Sequence, residues 1–190
     1  MPLGDFFVCR AYETKSYTFG GVTQRADALS AASTDVDLTG QIVWLVSQLV
    51  SWWVVGAGTA GQLAGLNVLE LGAGAGLPGL LAAQFARRVV LTDYEEEILT
   101  LLHRNVDAHT PPACDTAVAS LAWGVDADHD RVLGTPPAKF DLLLGADVVY
   151  WSVSITPLIA SVAALLAPHG QFILGYFNRV DSNRVRYLWG

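Results

Sequence analysis

The sequence has few cysteines, few charged residues and no surplus of basic ones, and each shortage excludes a class of protein. Two cysteines lie far apart in 190 residues, so there is neither a CxxC zinc motif nor the dense cysteine framework of a small secreted domain. Charged residues make up 15% and hydrophobic residues 52%, the reverse of a disordered composition. The net charge is −7. Because proteins that bind nucleic acid normally present a basic surface, we expect no nucleic-acid partner.

One long uncharged stretch, residues 38–69, has the length of a transmembrane candidate. Two serines and a glutamine interrupt it at helical spacing, glycines then break it, and no cluster of basic residues flanks it. We therefore predict a buried amphipathic helix from about Gln41 to Val55, capped by Thr39, and no membrane partner. The first residues carry an acid at Asp5 and no basic start, which predicts a cytoplasmic protein, with the nucleus as the alternative.

After residue 66 the pattern alternates between short apolar strands and helices. Strands that are apolar on both faces and separated by helices predict a parallel sheet covered on both sides. The fold class we predict is α/β, with a doubly wound, Rossmann-like, mostly parallel sheet and a short N-terminal β extension within residues 5–25. Such sheets bind ligands outside the carboxyl ends of their strands. The predicted strands are 67–71, 88–92, 116–122, 140–146 and 171–177, the last following a turn at 168–170.

A glycine-rich turn, Gly72-Ala73-Gly74-Ala75-Gly76, follows the first of these strands. Glycines allow a ligand to approach the backbone closely where the chain turns into a helix. The dinucleotide fingerprint requires a glycine where this chain has Leu77, so a nicotinamide-dinucleotide enzyme is the weaker alternative. With the acidic Glu70 in front, the pattern favours a ligand without a pyrophosphate, such as S-adenosylmethionine.

The next three strands also end in side chains suited to binding. Asp93 lies 21 residues after Gly72 and can accept the hydroxyl groups of a ribose, although a helix cap would use the same residue. Trp123 offers a flat face to an adenine ring, with core packing as the alternative. Asp147 and Tyr150 follow the fourth strand, where they can position an acceptor amine; the alternatives are a turn for the aspartate and packing for the tyrosine.

Trp44 lies on the least apolar face of the predicted first helix, together with Gln41, Ser47, Gln48 and Ser51, which are three or four residues apart. A tryptophan on such a face indicates either a ligand cleft or simple surface placement.

No metal site is predicted. The four histidines lack metal-ligand spacing, and the acidic stretch around His129 lacks the glycine and distal glutamate of a calcium loop. We predict a solvated loop at 126–130.

In this order, the motifs resemble those of the seven-β-strand class I methyltransferases, and among them methyltransferase family 16, whose members methylate lysines in non-histone proteins. The resemblance covers roughly residues 39–177. The matching elements are Thr39-Gly40 with Trp44, Glu70 to Gly76, Thr92-Asp93, Leu121 to Gly124, and Asp147-Val148-Val149-Tyr150. The resemblance implies S-adenosylmethionine contacts from Trp44, Glu70, Gly72, Ala73, Gly74, Gly76, Asp93, Trp123 and Ala146, and catalytic roles toward the acceptor for Asp147 and Tyr150.

The resemblance also implies how the chain is organised and what it does. Residues 39–190 form the S-adenosylmethionine-dependent methyltransferase domain, preceded by a β and loop extension at 1–38. The family fold has two further strands after the fifth, and only the 13 residues of 178–190 follow here. We therefore expect an incomplete C-terminal strand pair, either because the fold is trimmed or because the sequence is a fragment. We expect a monomeric protein-lysine N-methyltransferase that transfers a methyl group in line to a neutral amine of a protein substrate. The alternatives are a small-molecule methyltransferase and a non-catalytic cofactor-binding module.

Overall fold

A computed structural model of the chain describes residues 12–30, 36–135, 138–149 and 151–177. No helix in these ranges is long and apolar enough to cross a membrane. The strands are β1 (Glu13–Phe19), β2 (Val22–Ala28), β3 (Asn67–Leu71), β4 (Arg88–Asp93), β5 (Asp115–Ser120), β6 (Phe140–Ala146) and β7 (Leu166–Gly175). The α-helices are α1 (Leu45–Thr59), α2 (Leu77–Ala82), α3 (Glu96–His109), α4 (Asp126–Leu133) and α5 (Ile155–Leu165), and two 3-10 helices lie at Val36–Gln41 and Ser152–Ser154.

Five of the strands form one parallel sheet in the order β5-β4-β3-β6-β7. The chain runs outward from β3 to β5, then crosses back to β6 on the other side of β3. This doubly wound, Rossmann-like arrangement confirms the predicted fold class. It places the point where the strand order reverses between β3 and β6, and a ligand site is expected outside the carboxyl ends of those strands.

Alternate side chains of the sheet pack against two different layers of helices. Val68 and Leu142 belong to the core formed with α1, α2 and α3, whereas Leu69 and Leu143 belong to the core formed with α4 and α5. The two-residue period of a strand therefore explains why β3 and β6 are apolar at successive positions.

Within the predicted N-terminal extension, the residues from Glu13 to Ala28 form an antiparallel hairpin. β1 and β2 pair from Glu13 to Ala28 around Gly20-Gly21, both at positive φ (54° and 89°), as tight hairpin turns require. Phe19 at the end of β1 packs edge-on against Trp52 of α1, with ring centroids 5.5 Å apart. The 3-10 helix Val36–Gln41 runs across the predicted boundary at residue 38, and the division into extension and domain stays a prediction.

The first long helix begins later and ends later than predicted. α1 starts at Leu45, with Trp44 in extended conformation before it, while Thr39 lies in the preceding 3-10 helix and caps nothing in α1. The helix continues through Gly56 and Gly58 and ends at Thr59. A Cβ on Gly58 would lie 2.4 Å from the ring of Phe85, so this glycine is required for packing and does not break the helix.

Two other predictions need correction. Residues 126–133 form helix α4 and not a solvated loop, because His129 and Val132, three residues apart, turn one face into the core. The last strand spans Leu166–Gly175, and the predicted turn at 168–170 is accommodated inside it by a register shift against β6. The expected C-terminal strand pair falls in residues 178–190, outside the described residues.

Candidate active site

A cavity of about 490 Å³ lies at the carboxyl ends of β3, β4 and β6. The residues directly after β5 also line it. Its size is typical of small-molecule and cofactor sites. It brings together residues that are more than 100 positions apart in the chain. Of the predicted cofactor-binding and catalytic residues, those that line it are Trp44, Gly72, Ala73, Gly74, Asp93, Trp123, Ala146 and Asp147.

The glycine-rich turn forms a wall of bare backbone. Gly72 and Gly74 have positive φ (60° and 55°), a conformation that L residues with side chains rarely adopt. A Cβ on Gly72 would lie 3.1 Å from Trp123, and one on Gly74 would lie 2.8 Å from the carbonyl oxygen of Gly40. Side chains are therefore excluded here both by conformation and by close neighbours.

Asp93 lies directly beside this turn because β3 and β4 are neighbours. Gly74 N donates to Asp93 Oδ2 at 3.1 Å, and Tyr94 N donates to Oδ1 at 2.8 Å. Burial raises the pKa of Asp93, while backbone hydrogen bonds from Gly74, Tyr94 and Glu95 oppose that rise. A carboxylate held by three N–H groups is oriented, and its two oxygens can accept about four hydrogen bonds.

Two predicted cofactor residues lie behind the lining. Glu70 is 1% exposed, and its Oε2 accepts a hydrogen bond from Gly79 N of α2 at 2.8 Å. Burial, with a smaller contribution from the charge of Asp93, raises the pKa of Glu70 to about 8. Gly76 precedes α2 with φ 80°, and a Cβ there would lie 2.8 Å from Leu102. Both residues therefore support the glycine-rich turn from the side away from the cavity.

Trp44 lines the cavity from the N-terminal end of α1 and is 37% exposed. Its Nε1 donates to the carbonyl oxygen of Thr39 at 2.8 Å, which fixes the ring against the 3-10 helix. Of the helix face predicted to lie with it, Ser47 of α1 also lines the cavity, whereas Gln41 and Ser51 do not. Gln41 lies outside α1, and Ser51 is fully buried, donating to the carbonyl oxygen of Ser47.

Asp147 has an unusual backbone conformation. Its φ is 61°, and no other non-glycine residue in the described ranges has a positive φ. Asp147 N donates to the carbonyl oxygen of Gly175 at 2.9 Å, so the end of β7 holds it there. Left-handed non-glycine residues are strained and concentrate at functional sites. Tyr150, the second predicted catalytic residue, lies outside the described residues.

The cavity lining is acidic and aromatic. Asp93, Glu95 and Asp147 contribute carboxyl groups, and no lysine, arginine or histidine is among the described residues that line it. The aromatic members are Trp44, Tyr94, Trp123 and Trp151. Carboxylates and aromatic faces both attract cations. The arrangement therefore suits a positively charged ligand.

Sequence reasoning missed several lining residues. Tyr94 and Glu95 directly follow Asp93, so the strand-end rule that selected the aspartate could have found them. Ser154 ends the 3-10 helix just before α5, and Pro157 lies in the first turn of α5. Their presence depends on how that helix packs on the sheet, and no local pattern signals it.

Comparisons with known proteins show which family the sequence matches. The family model described as lysine methyltransferase matches residues 24–188. The EEF1A lysine methyltransferase 3 of Mus musculus is 37% identical over 124 residues, which cover 65% of this chain and 50% of that protein. The protein N-lysine methyltransferase METTL21A of Mus musculus is 33% identical over 151 residues, covering 77% of this chain and 66% of that protein.

Among solved structures, the T. thermophilus 16S rRNA N2 G1207 methyltransferase RsmC, in complex with AdoMet and guanosine, superposes with a TM-score of 0.59. It is 22% identical, and the match covers 86% of this chain and 41% of that one. At this identity the likeness concerns the fold.

Proposed function

The chain belongs to the lysine methyltransferase family, and we propose that it transfers a methyl group from S-adenosylmethionine to a lysine side chain of a non-histone protein. The membership confirms the resemblance predicted from the motifs. The chain spans 50% and 66% of the lengths of the two mouse relatives. The main support for the proposal is the cavity that joins the glycine-rich turn to Asp93, Trp123 and Asp147.

The described residues fit an adenosyl sulfonium. The backbone wall at Gly72 and Gly74 admits a ligand at close range, and Asp93 retains capacity to accept about one more hydrogen bond, from a ribose hydroxyl group. Trp123 offers its face to an adenine ring. The surplus of carboxyl groups in the lining favours a ligand that carries a sulfonium and an ammonium group. When bound, S-adenosylmethionine supplies an electrophilic methyl group.

The acceptor lysine must be neutral before its nitrogen can take the methyl group. At pH 7 the loss of its proton costs about 4–5 kcal/mol for an ordinary pKa of about 10.4. Trp151 and Val153 at the cavity rim reduce hydration of the amine, which disfavours the ammonium form. We assign Asp147 the task of accepting an N–H of the amine and so aligning its lone pair, with Tyr150 as a second acceptor-side residue. Alignment supplies most of the acceleration in this scheme.

The test is a transfer assay with tritium-labelled S-adenosylmethionine. The purified full chain is incubated with cell extract, which is then separated into protein and small-molecule fractions. Because one relative is named for EEF1A, purified EEF1A serves as a defined acceptor in parallel. We expect label in protein, at lysine after digestion, and none with the Asp147→Ala variant.

The same assay separates the rival functions. Label confined to the small-molecule fraction would establish a small-molecule methyltransferase instead. No label in either fraction, with normal binding of S-adenosylhomocysteine, would indicate a non-catalytic binding module. A monomeric state, a cytoplasmic or nuclear location and the lack of a nucleic-acid partner belong to the same proposal and stay predictions.

A further inference from the structure

We propose that Asp128 and Ser161 clamp Trp123 in the cavity wall and act as positioning residues for adenosyl binding, an inference that rests on the proposed function. Trp123 follows β5 in a short turn that belongs to no helix or strand. The clamp acts on the backbone N–H groups of the two residues next to it, Ala122 and Gly124. Neither Asp128 nor Ser161 lines the cavity.

One hydrogen bond holds each side of Trp123. The N–H of Ala122, on one side, donates to Asp128 Oδ2 at 2.8 Å. The N–H of Gly124, on the other side, donates to Ser161 Oγ at 2.9 Å. Asp128 belongs to α4 and Ser161 to α5, so the layer of helices on one face of the sheet fixes the tryptophan from both directions.

The Ser161 half of the clamp is fully buried, and the Ser161 hydroxyl group has two hydrogen-bond partners. Ser161 is 0% exposed, and its Oγ lies 2.9 Å from His129 Nε2. Because Oγ already accepts the hydrogen of Gly124, its own hydrogen is available for His129. His129, itself buried, thereby holds the serine in the rotamer that accepts from Gly124.

The Asp128 half is a charge-assisted hydrogen bond. The hydrogen bond from Ala122 and the neighbouring Arg131 hold the pKa of Asp128 below its usual value. The ionised carboxylate therefore persists at neutral pH, and hydrogen bonds to ionised acceptors are stronger than neutral ones. Arg131 pairs with Asp128 from the same helix and also donates to the carbonyl oxygen of Ser120 at 2.9 Å.

The position of the clamped ring matters because it forms part of the cavity surface. Trp123 lies against Gly72, where an added Cβ would be 3.1 Å from the indole. On its other side, Gly124 has φ 76° and packs against Pro157, whose Cβ would be 3.0 Å from a Cβ at Gly124. A small rotation of the 122–124 turn would therefore tilt the indole toward or away from the glycine-rich turn.

The test measures the dissociation constant of S-adenosylhomocysteine by titration calorimetry, together with thermal stability. Ser161→Ala leaves the Gly124 N–H without its partner, and we expect binding about tenfold weaker. Asp128→Ala has the same effect, whereas Asp128→Asn, which keeps an oxygen acceptor, restores binding to within about twofold. Val106→Ala, a buried truncation on α3 in the core on the other face of the sheet, is the matched control and lowers stability without weakening binding.

A double-mutant cycle separates clamping from general destabilisation. In a Trp123→Ala background, Ser161→Ala should change the dissociation constant by less than about twofold, because residues that act through one another are not additive. Wild-type affinity in both Ser161→Ala and Asp128→Ala, or an undiminished tenfold loss in the Trp123→Ala background, would overturn the inference. If Ser161→Ala does not fold, the two Asp128 variants test the clamp: binding must weaken in Asp128→Ala and return in Asp128→Asn. Failure of the wild-type chain to bind would instead count against the proposed function.

Discussion

Replacing Glu70 with glutamine should remove a pH dependence of folding that this one buried carboxyl group creates. Glu70 is 1% exposed, and burial raises its pKa from the usual 4.5 to about 8. The folded chain therefore binds a proton at pH values where the unfolded chain has released it. Stability from this group is fully present below pH 4.5 and is lost as the pH rises through about 8.

The magnitude follows from the separation of the two pKa values. Each pH unit between them lowers the free energy of unfolding by up to about 1.4 kcal/mol. Between pH 5 and pH 8 the wild-type chain should thus lose up to about 4 kcal/mol relative to the Glu70→Gln variant. Glutamine keeps an oxygen that can accept the hydrogen bond from Gly79 N, so the turn retains its support.

The assay is urea unfolding followed by tryptophan fluorescence at pH 5, 6, 7 and 8. Glu13→Gln, an exposed glutamate in β1, is the matched control and should follow the wild-type curve at every pH. The reasoning would be refuted if the difference in the free energy of unfolding between the wild-type chain and the Glu70→Gln variant stayed constant from pH 5 to pH 8.

Three further substitutions test other parts of the account. Gly79→Ala places a Cβ 2.5 Å from the Glu70 carboxylate and 2.8 Å from Leu91, and should lower the free energy of unfolding by about 1–3 kcal/mol in urea titrations; unchanged stability would show that the turn has room. Asn105→Ala removes the bonds that tie α3 to Ala75 and the hairpin, and should cost more than about 2 kcal/mol by the same measurement, whereas a smaller loss would mean that the hairpin is held elsewhere. Asp147→Gly suits the positive φ and should leave stability at or above wild type while slowing single-turnover methylation at least about 100-fold; an unchanged rate would remove Asp147 from the mechanism.

The central strands were predictable because their local apolar pattern and their burial inside the sheet favour the same structure. Residues 67–71 and 140–146 are short apolar runs bounded by turns, and both were assigned with the bounds that the structure has. Helix α4 was not predictable in this way, since most of its eight residues are polar and only His129 and Val132 are buried. The start of α1 was missed because residues 42–46 are all apolar, so the pattern gives no signal that the helix begins only after Trp44.

The site was partly predictable for a topological reason. Parallel strands bring their carboxyl ends to one edge, so residues directly after each strand, such as Gly72, Asp93 and Trp123, could be grouped without knowledge of the packing. The left-handed conformation of Asp147 could not, because it depends on a hydrogen bond to the end of β7. The support of Trp123 by Asp128 and Ser161 likewise arises only where three segments of the chain meet.

Titration of S-adenosylhomocysteine into the full wild-type chain and into its Asp93→Ala variant tests the central claim most directly. The account predicts one-to-one binding to the wild-type chain and at least about tenfold weaker binding to the variant, because the ribose loses its carboxylate acceptor. Equal affinity in the two proteins, or no heat and no rise in melting temperature with the wild-type chain, would contradict it.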